Sequence, residues 1–136
     1  MAMAMDTQAT TNRQRAAALV VVLLSAAVSL GLMLWVGRHN ASVVLILLFT
    51  VWVASPFAGL LYLDRTARRW QAARQQAAYW QMHLIGLGSV AIYAAVALLM
   101  HLRKPAAPFL AVPAATWMLI AAALWTGNFK QKPASK

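Results

Sequence analysis

The chain has 136 residues, 62% of them hydrophobic, and a formal charge of +10 from 12 Lys and Arg against 2 Asp. A mean hydropathy of +0.65 excludes an ordinary soluble domain, and the absence of Cys excludes disulfide frameworks, thiolate metal sites and thiol-based redox carriers. In a soluble protein such charge would suggest nucleic acid, but here the basic residues flank apolar runs and face anionic headgroups, so no nucleic-acid partner is expected.

Residues 1–15 are polar and rich in Thr and Gln, a composition that predicts a disordered segment. The first apolar run, Ala16–Val36, follows Arg13 and Arg15 and contains a small-x-small step, Ala27-Val28-Ser29, of the kind signal peptidases cut. It continues through Leu30, Leu32, Leu34, Trp35 and Val36, well past the ~7–15 residues of a signal-peptide apolar region, so a retained helix is expected. Gly37-Arg38-His39-Asn40-Ala41 then forces an antiparallel hairpin into the second run, Ser42–Leu63. The third and fourth runs are Met82–Leu102 and Phe109–Thr126, joined by the proline-rich Arg103-Lys104-Pro105-Ala106-Ala107-Pro108. Each run approaches the ~20 residues needed to cross a bilayer as a helix. Gly127-Asn128 opens a basic tail, 127–136, and reads as a helix stop.

The connection between the second and third runs has a pattern of its own. Ala67, Trp70, Ala73, Ala77 and Trp80 share one helical face, with Arg65, Arg68, Arg69, Gln75 and Gln76 opposite and Arg74 intruding on the apolar side. That pattern predicts an amphipathic segment in the membrane interface, anchored by Trp70, Trp80 and the arginines. Because neither Gly nor Pro occurs between Leu60 and Ile85, extension of the flanking helices is the competing arrangement. The N-terminal segment, this connection and the tail hold nine of the Lys and Arg, and the other two connections hold three. The positive-inside rule therefore predicts both termini in the cytoplasm.

Neither Asp6 nor Asp64 falls within the four runs, and there is no Glu. Ion-coupled carriers keep an acid at membrane depth, so its absence argues against that class. In size the chain resembles the small multidrug resistance transporters, which pack four helices, dimerise and depend on a glutamate in the first helix. The corresponding stretch here offers only Ser25 and Ser29. An aromatic-lined path through Trp52, Tyr62, Tyr93 and Trp117 would survive that loss. The segment Leu48–Phe57 is similar to segments of small bacterial membrane proteins, a resemblance that implies no activity.

Histidine is the first candidate ligand, because imidazole can bind haem or metal. His83 and His101 share a helix face but stand about 27 Å apart along it, and His39 and His101 lie near one end without a matched second pair. No cofactor or metal is expected. Pro56 removes a hydrogen bond to the Trp52 carbonyl and kinks the second helix. Ser25 and Ser29, Ser55 and Gly59, and Gly86 and Ser89 form small-residue faces suited to close helix packing. No paired carboxylate, phosphate loop or HExxH motif is present, so no catalytic residue is assigned. The expected protein is an all-α, four-helix integral membrane bundle in a bacterial inner membrane. It would be a non-enzymatic subunit or packing module with a homo-oligomeric or heteromeric membrane partner; a small transporter or channel, and then a haem or redox carrier, are the alternatives.

Overall fold

Four helices account for nearly all of the chain in the computed structural model, which describes residues 1–39, 41–99 and 106–129: α1 Ala2–Gly37, α2 Val43–Ala67, α3 Ala72–Leu98 and α4 Ala106–Phe129. All four are long and apolar enough to cross a membrane. The expectations for His101, for turn residues 103–105 and for tail residues 130–136 lie outside the described residues, whereas Ala106, Ala107 and Pro108, expected in that turn, open α4.

Several boundaries differ from expectation. Residues 2–15 are helical rather than disordered, and α1 runs 36 residues, about 54 Å at 1.5 Å per residue. The segment holds no Gly or Pro, and its Ala, Met, Gln and Arg favour helix once the apolar span has nucleated it. Thr7, Thr10 and Thr11 bond back to the carbonyls of Met3, Asp6 and Thr7, at 2.8, 2.8 and 2.9 Å, without breaking it. The α2–α3 connection is no separate amphipathic helix: α2 continues to Ala67, α3 begins at Ala72, and only 68–71 intervene. That turn resets the helical register, so Ala67 and Trp70 are buried while Ala73, Ala77 and Trp80 are exposed. Gly127-Asn128 does not stop α4, which runs on to Phe129.

Around the bundle the order is α1, α2, α4, α3. α1 packs most extensively against α3, α2 against both α4 and α1, and α4 also against α3. α2 and α3 meet across the diagonal, whereas α1 and α4 barely touch among the described residues. Of the span windows, 39% of α3 is buried and only 22% of α4, which makes α3 the central helix and α4 the peripheral one.

Two clusters fill the interior. At the end bearing the α2–α3 turn, here the arginine end, Ala18, Val22, Phe57, Leu60, Leu63, Tyr79 and Met82 belong to the larger one. At the far end Met33, Val53, Tyr93, Val96 and Phe109 form the smaller one, with the Tyr93 and Phe109 rings stacked 4.8 Å apart. Between the two lie the buried Ser25, Ser29, Ser89 and Thr116. Short side chains there let the helices approach where lipid tails offer no hydrophobic drive to associate.

Candidate functional site

Asp64 was expected outside the membrane-spanning helices. It sits instead inside α2, one turn from its end, and is 2% exposed. Arg15 of α1 reaches it with a two-pronged bond, Nε to Oδ1 at 2.9 Å and Nη2 to Oδ2 at 3.3 Å. Arg68, four residues on, donates Nη2 to Oδ2 at 3.2 Å. The small Ala18 of α1 and Ala67 of α2 are completely buried beside this level, which lets the helices converge. A carboxylate already holding three N–H donors ties α1 to α2; a cation would have to displace an arginine to reach it. The sequence signal was present in Asp64 followed at i+4 by Arg68, but nothing local points to Arg15, 49 residues earlier.

The kink at Pro56 is closed by side chains. Ser55 Oγ donates to the Trp52 carbonyl at 2.9 Å, the acceptor that Pro56 leaves without its helical partner. The same hydroxyl accepts from Trp117 Nε1 of α4 at 3.0 Å. One turn on, a Cβ at Gly59 would stand 3.0 Å from Ile120 Cδ1 and 3.2 Å from the Trp117 ring, so Ser55 and Gly59 form the face on which α4 rests. Towards the far end, Leu48, Phe49, Val51, Trp52, Ser55 and Leu110 line an open, almost wholly apolar groove of about 380 Å³. Trp52 Nε1 bonds the Leu110 carbonyl across it at 3.4 Å.

Ser25 lies against Gly86 on the α1–α3 seam: a Cβ at Gly86 would stand 3.0 Å from Ser25 Oγ and 3.3 Å from Val21 Cγ1. Ser89 is buried on α3, and Ser29 Oγ, at 0% exposure, has no hydrogen-bond partner among the described residues. Of the aromatic path considered from sequence, Tyr93 is buried in the far cluster, whereas Tyr62, Trp52 and Trp117 are exposed on the outside of the bundle.

The expected interfacial anchors separate into two kinds. Arg65, Arg68, Arg69 and Trp80 are exposed. Trp70, by contrast, is 8% exposed, its indole wedged so closely against Gly127 that any side chain at 127 would overlap it. Arg74, half-buried, donates Nη1 to the Gly127 carbonyl at 3.4 Å, and Gln81 Nε2 donates to the Leu119 carbonyl at 3.0 Å. Gly127, read from sequence only as a stop, is therefore the residue on which the α2–α3 turn meets α4.

His83 holds the Tyr79 carbonyl at 2.8 Å through Nδ1, which as a carbonyl partner requires the proton on that nitrogen. His39 is exposed on the α1–α2 connection. Among the described residues no group of three or more His, Asp or Glu is placed to hold a metal. Comparison with protein-family models, with curated proteins and with solved structures finds no match for this chain.

Proposed function

We propose that this is a non-enzymatic subunit or interaction module of a bacterial inner membrane, with both termini and the α2–α3 turn in the cytoplasm. The observation that carries the reading is the pairing of Asp64: the one acid buried in the bundle is engaged by Arg15 and Arg68, which leaves no open carboxylate for ion-coupled work. Val20, Leu23 and Leu24 of α1, Leu84 and Leu87 of α3, and Met118 and Trp125 of α4 are exposed along the bundle and suit lipid or the helices of a partner. The orientation rests on the nine-to-three distribution of basic residues.

Purification in mild detergent after in-cell crosslinking, with mass spectrometry of what accompanies the chain, tests the role. A stoichiometric membrane-protein partner or a second copy is the expected result; a lone chain carrying a haem Soret band would move it to the redox class. Single-cysteine labelling tests the orientation without background, because the chain has no Cys. An impermeant reagent on intact cells should reach Cys placed at position 38 and not at 68.

The apolar groove beside Trp52 and Ser55 supports a second reading, passage of lipophilic solutes in the manner of a small multidrug-type oligomer. Its mark would be a lipophilic cation that stabilises the wild type and loses its effect when Leu48→Trp fills the groove.

A further inference from the structure

The cleft between α3 and the end of α4 at the arginine end is lined by Trp70, Arg74, Ala77, Gln81, Ala123 and Thr126, among others, and measures about 230 Å³. No acid lines it, and Arg74 and Gln81 bring N–H donors to it. Arg74 uses one of its five N–H groups, on the Gly127 carbonyl at the long end of the hydrogen-bond range. Gln81 uses one of its two amide hydrogens on Leu119. Trp70, 8% exposed and packed against Gly127, closes one wall. Arg74 lies in the first turn of α3, where the helix dipole favours an anion, and its bond to Gly127 satisfies one of the last carbonyls of α4.

We propose that this cleft binds the phosphate of an anionic phospholipid from the leaflet at the arginine end. Its volume falls below the ~300–1,000 Å³ of sites that enclose a drug-sized ligand. It therefore takes the phosphodiester and leaves the acyl chains in the bilayer, along the alanine-lined sides of α3 and α4. The apolar walls of Ala77 and Ala123 beside the single Arg74 guanidinium match an amphiphile better than a free ion. The site is independent of the subunit role proposed above.

Native mass spectrometry of the full chain in detergent, titrated separately with phosphatidylglycerol, phosphatidylcholine and inorganic phosphate, tests it. Phosphatidylglycerol should bind one-to-one and more tightly than the other two. Arg74→Gln should weaken it about tenfold or more, the loss of a charge-assisted contact. Arg38→Gln, which removes an arginine at the opposite end, should leave it unchanged. Ala77→Leu keeps Arg74 and its bond to Gly127 but fills the cleft from an exposed position that folding tolerates, and it should weaken binding as well. Equal binding of phosphatidylcholine or of inorganic phosphate would overturn the proposal. So would full binding by either Arg74→Gln or Ala77→Leu, or an equal loss in Arg38→Gln, which would mean that affinity follows net charge.

Discussion

The two ends of the bundle are held in different ways. At the arginine end the Asp64–Arg15 pair joins α1 to α2, Trp70 against Gly127 joins the α2–α3 turn to α4, and Arg74 and Gln81 bond α3 to carbonyls of α4. At the far end the described contacts are the smaller apolar cluster, the Tyr93–Phe109 stack and the single Trp52–Leu110 bond beside an open groove. Apolar contact between helices gains little over contact with lipid, so directional bonds and close small-residue approaches carry a disproportionate share of the specificity. The arginine end should therefore set the arrangement of the helices, and the far end should adapt to what lies against it.

The sharpest way to break this contrast is Arg15→Ala. It leaves Asp64 buried with Arg68 as its remaining partner and should cost about 3 kcal/mol, measured by unfolding in detergent. Replacing both partners, Arg15→Met with Asp64→Leu, should recover most of that loss, because the penalty comes from the stranded charge. A single variant as stable as wild type would mean that the pair does not organise the bundle.

Gly127→Leu comes next. The new side chain collides with the Trp70 indole, and the expected loss is about 2 kcal/mol from overpacking, with quenching or a red shift of indole fluorescence as Trp70 is pushed out. Unchanged stability and fluorescence would show that the turn does not rest on α4.

Ser55→Ala should cost about 1 kcal/mol, since it strands both the Trp52 carbonyl and the Trp117 indole N–H. Pro56→Ala should shift stability by less, about 0.5 kcal/mol in either direction, because the carbonyl freed by proline already has the Ser55 hydroxyl. The reverse ranking in thermal melts would locate the structural role in the proline itself. Smallest of all, Gly88→Ala meets nothing within 4 Å and should be neutral or stabilising by up to about 0.5 kcal/mol through helix propensity; a clear loss of stability would reveal a partner surface on α3.

The existence and number of the helices were legible because apolar run length is a local property, and the bilayer demands that a spanning backbone satisfy its own hydrogen bonds. The small-residue faces were legible for the same reason: spacing of three and four on a helix places Ser55 with Gly59 and Gly86 with Ser89 whatever surrounds them. Helix ends were less so. Residues 2–15 and 64–67 are polar enough to pass for loops, yet each continues a helix, since propagation needs only the absence of Gly and Pro once a turn exists.

Tertiary structure alone decided what each of these faces touches. The pairing of α1 with α3 turned Ser25 toward Gly86, and the approach of α1 to α2 brought Arg15 to an acid 49 residues away. The short turn at 68–71 carried Trp70 off the expected surface and into the end of α4. Hydropathy is summed residue by residue along the chain, but an ion pair or a wedge depends on the rotation and crossing of two helices, which no single segment encodes.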